Sequence, residues 1–109
     1  MEHFDAAIIG FGTAGRALGA ALSDAGHTVA VVEQSDTMYG GACVNVACIP
    51  TKALVHAARV SAETSELVSH QEERYAAAID DMNRIRTAAR ERNYHSLADR
   101  ENVRVVNGT

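Results

Sequence analysis

The chain has 109 residues, the size of one small domain, with 47% apolar and 22% charged residues, a globular rather than disordered balance. Its net charge of −4 comes without a basic cluster, so it lacks the cationic face that a phosphate backbone needs, and no nucleic acid partner is expected. No signal peptide is visible, and no stretch reads as approaching the ~20 apolar residues that span a bilayer; the chain is therefore expected to be cytoplasmic, with no membrane partner.

In chain order, Phe4 to Ile9 reads as a short buried strand bounded by glycine. Apolar residues at Ala14, Ala17, Leu18, Ala21, Leu22 and Ala25 form a helical stripe, and Gly26 is its expected stop. Thr28 to Val32 is a second strand, β-branched and apolar on both faces. Two such strands joined by one helix make a βαβ unit with parallel pairing. Gln34 to Gly41 reads as a loop. From about Val44 the chain turns helical, with Pro50 in a tolerant first turn, and this helix is expected to run to about Val68. A second helix, Gln71 to Asn93, shows Tyr75, Ala78, Ile79, Met82, Ile85 and Ala89 on one face. Asp80, Arg84 and Arg90 lie opposite and read as a solvated surface. Val103 to Val106 is a further strand, and a chain that stops just after it is expected to be interrupted. The fold class expected is α/β: a Rossmann-like βαβ unit with a parallel sheet, followed by two long helices, and incomplete.

Gly10-Phe11-Gly12-Thr13-Ala14-Gly15 is a G-x-G-x-x-G that follows the first strand and opens the first helix. Gly10 permits the tight turn, Gly12 lets a pyrophosphate approach the backbone, and Gly15 lets helix and strand pack closely. The N–H groups and positive dipole end of the helix would then hold the phosphates. Glu33 ends the second strand, where an acid takes the hydroxyls of an adenosine ribose. The plain alternative is a glycine-rich turn in an ordinary α/β protein, with Glu33 at the surface. The order of strand, motif, helix, strand and acid favours a dinucleotide, without separating FAD from NAD.

The two cysteines, Cys43 and Cys48, close too small a loop to restrain the unfolded chain much. In a reducing compartment a disulfide is more often catalytic than structural. A cysteine at a helix N-terminus has its thiolate favoured by the dipole. Lys52, four residues after Cys48, shares its helix face and favours the thiolate further. Three other readings stay open: a zinc site with His56 as the one nearby extra ligand, a structural disulfide, and two buried inert thiols. His3, His27, His56, His70 and His95 are scattered without ligand spacing, and no metal site is expected.

The run from Gly40 to Lys52 (GGACVNVACIPTK) resembles the redox-active disulfide segment of the flavoprotein disulfide reductases, the pyridine nucleotide–disulfide oxidoreductases. Glutathione reductase, dihydrolipoamide dehydrogenase and mercuric reductase belong to that group. The resemblance extends over essentially the whole chain. It implies FAD as cofactor, bound by Gly10, Gly12, Thr13, Ala14, Gly15, Glu33, Gln34, Gly41, Ala42, Cys43, Cys48 and Lys52. It further implies that Cys48 faces the flavin, that Cys43 exchanges with substrate, and that Lys52 lies beside the ring. These three are the catalytic residues that the resemblance assigns. Electrons would pass from NAD(P)H to FAD, then to a Cys43–Cys48 disulfide, then to substrate. Residues 1–109 would form the N-terminal part of the FAD-binding domain of a homodimer. The NAD(P)-binding and dimerisation domains and the acid–base histidine would lie elsewhere, and this portion alone is expected not to turn over NAD(P)H. Ala42 and Ala47 depart from the family pattern, which usually has Thr and Gly there.

Glu33-Gln34-Ser35, Met38-Tyr39-Gly40-Gly41, Ile49-Pro50-Thr51-Lys52 and the run from Asn93 to Asp99 are similar to a bacterial subgroup linked to reactive-chlorine resistance and copper(II). Mercuric reductase is less favoured, because no metal-binding domain precedes the first strand, although many mercuric reductases also lack one. The rival from another class is a stand-alone nucleotide-binding module that senses redox state through its two thiols.

Overall fold

The computed structural model describes residues 1–64 and 70–109. It is an α/β fold around a three-stranded sheet ordered β1-β2-β3, with β1 (Ala6–Ile9), β2 (Val29–Glu33) and β3 (Val103–Asn107). Both pairings are parallel: Ile8 lies opposite Val31, and Val31 opposite Val105. Helix α1 (Thr13–Asp24) makes the first crossover, as expected. The 3-10 turn Asp36–Met38, then α2 (Gly41–Asn45), α3 (Cys48–Glu63) and α4 (Gln71–Ala98) lie between β2 and β3.

Register assigns the core. Ile8, Val29, Val31 and Val103 turn to one face of the sheet and meet Phe11, Tyr39 and Leu97. Leu97 belongs to the last turn of α4, which runs five residues beyond the expected stop at Asn93, and it is fully buried. Strand β1 departs from its expected burial. Ile8 is buried, but Ile9 is 83% exposed, and Val106 on the same face is partly exposed. One face of the sheet packs against helices, whereas among the described residues no element covers Ile9 and Val106.

The single helix expected from Val44 is instead two. Pro50 has no N–H to donate to the carbonyl four residues back, and its ring clashes with that carbonyl, so the ladder cannot pass Val46. The N–H groups of Val46 and Ala47 both turn back to the Ala42 carbonyl, at 2.9 and 2.8 Å. Helix α3 then starts afresh at Cys48 and ends at Glu63; the rest of the expected helix, at 65–68, lies outside the described residues. By length and mean hydropathy (1.2) alone, Gly41–Glu63 is long and apolar enough to cross a membrane, contrary to the sequence expectation. Six alanines and four valines supply most of its apolar residues, and the break at Val46–Ala47 divides the stretch.

Helices α3 and α4 form an antiparallel hairpin. Near one end, Arg74 donates to Thr64 Oγ1 (2.9 Å), and at the other Arg90 Nε donates to Asn45 Oδ1 (2.7 Å). The expected apolar face of α4 is only partly used: Ala89 is buried, while Tyr75 and Ile85 are 68% and 44% exposed. The expected solvated face is also corrected. Arg84 is exposed and pairs with Asp81, but Arg90 is partly buried against α2.

Candidate functional site

At the end of β1, Gly10 N donates to the Val32 carbonyl (2.7 Å), and the chain turns into α1. A Cβ added to Gly15 would stand 2.2 Å from the Gly10 carbonyl oxygen and 3.2 Å from Ile8 Cγ2, so the helix lies on the strand with no room for a side chain. A Cβ on Gly12 would meet nothing within 4 Å. Gly12 caps α1 without a side-chain hydrogen bond, and Thr13 and Ala14 in the first turn are exposed. The first N–H groups of α1 are thus left for an incoming acceptor beside open space.

Glu33 is 9% exposed at the end of β2. Its carboxylate accepts from the N–H groups of Phe11 (2.9 Å) and Ser35 (3.3 Å). The acid is therefore tied to the middle of the glycine turn, with lone pairs remaining for further donors. Gln34 beside it is exposed. Phe11 is fully buried, edge-on to Tyr39 at 5.2 Å and stacked on Tyr94 at 6.4 Å. That aromatic floor fixes the turn on α4.

The cysteine segment lies against the same turn. Gly40 N donates to the Phe11 carbonyl (2.8 Å). Gly41, at φ +73°, begins α2 so close to the turn that an added Cβ would be 2.8 Å from Gly12 Cα. The helix bearing Cys43 therefore starts in backbone contact with the second glycine of the fingerprint. Cys48 is the first residue of α3. Cys43 is half-buried and Cys48 exposed, and both are free thiols. Interaction with Cys48, then burial and the charge of Cys48, push the Cys43 thiol above its usual range, while Lys52 opposes this. Cys43 sits in the middle of a five-residue helix and its thiol is raised, whereas Cys48 is the cysteine at a helix start. Lys52 and Ala42 are exposed. Ala47 adopts φ −115°, so its methyl is accepted without left-handed strain.

Sequence reasoning missed Asn45. It is 5% exposed; its Nδ2 donates to the carbonyls of Tyr39 and Gly41, both at 2.9 Å, and its Oδ1 accepts from Arg90. A short amide just before a helix break was the available signal. Its partner on α4 leaves no local trace in the sequence. All five histidines are exposed, and among the described residues no group of three or more His, Cys, Asp or Glu could hold a metal ion.

The residues present fit FAD on structural grounds: an uncapped helix start beside open space at Gly12, a buried carboxylate tied to that turn, and a cysteine-bearing helix whose first residue meets Gly12. Comparison with known proteins agrees. The model of the pyridine nucleotide-disulphide oxidoreductase family matches residues 4–109. The probable pyridine nucleotide-disulfide oxidoreductase RclA of Escherichia coli K12 is 43% identical over 99% of this chain, which spans 22% of that relative. A dihydrolipoyl dehydrogenase of Vibrio cholerae is 40% identical over 58% of this chain and 13% of its own length. Among solved structures, the Cu(II) complex of the HOCl-induced flavoprotein disulfide reductase RclA from Escherichia coli superposes with a TM-score of 0.83 at 42% identity, over 100% of this chain and 22% of that one. With sequence, fold and site in accord, the chain belongs to the pyridine nucleotide-disulphide oxidoreductase family.

Proposed function

We propose that the chain is the FAD-binding portion of an NAD(P)H-dependent flavoprotein disulfide or metal-ion reductase in which Cys43 and Cys48 form the redox-active pair. The observation that carries this reading is the contact of Gly41 with Gly12, which joins the helix of the first sulfur to the dinucleotide turn. The first N–H groups of α1 would hold the diphosphate of FAD and Glu33 its ribose, with Thr13, Ala14, Gly15, Gln34, Gly41 and Ala42 lining the approach. Bound FAD would supply two electrons.

What the chain itself contributes is the receiving pair. Opening a Cys43–Cys48 bond takes up two electrons and two protons and leaves two thiols. The shift of Cys43 favours its thiol form, and the Lys52 ammonium opposes this by favouring negative charge on the Cys43 sulfur. Cys48, the exposed sulfur, faces the flavin in this reading, and Cys43 exchanges with a disulfide substrate. Copper(II) is the first metal ion to try as substrate, since the similar RclA is known as a Cu(II) complex.

The bare face at Ile9 and Val106 supports the reading that residues 1–109 are part of a larger FAD-binding domain, with NAD(P)-binding and dimerisation domains elsewhere in a cytoplasmic homodimer. Purified alone, these residues are expected not to oxidise NAD(P)H. The test is the absorption spectrum of FAD bound to the protein: replacing Cys48→Ser shifts it, and Cys43→Ser shifts it less. Identical spectra in all three proteins would remove Cys48 from the flavin.

A further inference from the structure

We propose that Arg90, acting through the buried amide of Asn45, is a positioning residue that presets the two sulfurs for disulfide formation. The inference rests on the reading above, in which Cys43 and Cys48 are redox-active.

Asn45 stands between the two cysteines in the chain, at the end of α2. Both its amide N–H directions are used, toward Tyr39 O and Gly41 O, and its oxygen takes the Arg90 Nε proton at 2.7 Å. An arginine only donates, so it admits one orientation of that amide. Arg86 reaches the Asn45 backbone carbonyl from one turn earlier on α4, at 3.4 Å, while its other nitrogen holds Asn83 at 2.7 Å. The end of α2 is thereby fixed to a 28-residue helix.

This matters because no continuous helical ladder links the two sulfurs. Pro50 ends the ladder at Val46, and α3 begins independently at Cys48. The angle between α2 and α3 is therefore set by what grips the end of α2. A disulfide needs Cα atoms about 4.4–6.8 Å apart and a narrow range of torsions. Removing the guanidinium leaves a buried amide oxygen without a donor. It also removes the bond that ties the end of α2 to α4, so the Asn45 side chain, and with it the hinge between α2 and α3, is free to shift. The dithiol then becomes less well placed to close.

The experiment equilibrates the chain with mixtures of glutathione and glutathione disulfide and measures the oxidised fraction by thiol alkylation and mass. In the reaction the Cys43 and Cys48 thiols give up two electrons and two protons and form one S–S bond. The S–S bond of glutathione disulfide breaks and becomes two glutathione thiols. Arg90→Met is expected to lower the equilibrium constant for closure about tenfold, equivalent to about 30 mV for this two-electron couple. Arg90→Lys, which keeps a charged donor, recovers most of the loss, and Arg84→Met on the exposed face changes nothing. An unchanged constant in Arg90→Met, with only a lower unfolding midpoint, makes Arg90 a structural tie and overturns the inference. Should Arg90→Met fail to fold by circular dichroism, Arg90→Ala takes its place with the same two outcomes. If the unsubstituted chain forms no Cys43–Cys48 disulfide at any ratio, the redox reading itself fails, which is a different result from an unshifted constant.

Discussion

Around Gly15 the backbone of α1 lies so close to β1 that one added carbon would sit 2.2 Å from the Gly10 carbonyl oxygen. Around Asn45, by contrast, α2 is fixed by side-chain hydrogen bonds of 2.7 to 2.9 Å. The glycine turn is shaped by exclusion, and the cysteine segment by polar satisfaction. The first kind of constraint fails abruptly when volume is added. The second loosens by degrees as donors are removed, because a lost hydrogen bond can be partly replaced by water or a rotated amide. A part that must hold a rigid diphosphate suits the first, and a pair of sulfurs that must open and close suits the second.

Substitutions break the comparison in order of expected size. Gly15→Val forces its side chain into the Gly10 carbonyl and Ile8, and should cost about 3 kcal/mol or more of folding free energy in a urea titration. A loss under about 1 kcal/mol would show the turn to be pliable rather than sterically locked. Gly41→Ala combines a positive φ with a Cβ 2.8 Å from Gly12 Cα. It should cost about 2 kcal/mol and, unlike Gly15→Val, should also alter the rate at which Cys43 and Cys48 are alkylated. Unchanged alkylation would mean that the contact does not position the sulfurs.

Tyr39→Phe removes the hydroxyl that donates to Asn107 Oδ1 while keeping the ring against Phe11 and Tyr94, at a cost of about 1 kcal/mol. It also changes the alkaline limb. Burial raises the Tyr39 phenol above its ordinary 10.0, against the opposing hydrogen bond to Asn107. The unfolded phenol therefore ionises first, so this stabilisation is complete below pH 10.0 and is lost as pH rises toward the folded value. Unfolding midpoints between about pH 9 and pH 11 should fall less steeply in Tyr39→Phe than in the parent. Parallel slopes would remove Tyr39 from the alkaline transition.

Much of this was legible in the residues, though unevenly. The βαβ unit, its parallel pairing and the phosphate turn follow from glycine spacing and β-branched runs, because those features act locally. The break at Val46 was also present in the sequence, in Pro50 and the carbonyl four residues before it, yet helical composition on both sides conceals it. Burial of β1 is not legible in the residues, because an apolar strand does not reveal whether both faces are covered; Ile8 and Ile9 differ only in register. Arg90 reads as solvent-facing in the sequence because charge on a helix usually is, and its partner is 45 residues away in the chain. The raised Cys43 pKa depends on where Cys48 lies in space, which the spacing of five does not specify.

Gly12 provides the most direct test of the proposed cofactor site. Its backbone is extended (φ −82°, ψ −174°), and an added Cβ meets nothing in the protein within 4 Å. Gly12→Ala should therefore leave the unfolding free energy within about 0.5 kcal/mol of the parent. If a diphosphate lies against that backbone, the same methyl should weaken FAD binding at least about tenfold, or about 1.4 kcal/mol, by equilibrium dialysis. Full FAD affinity in a normally stable Gly12→Ala protein would contradict the placement of the cofactor on this turn.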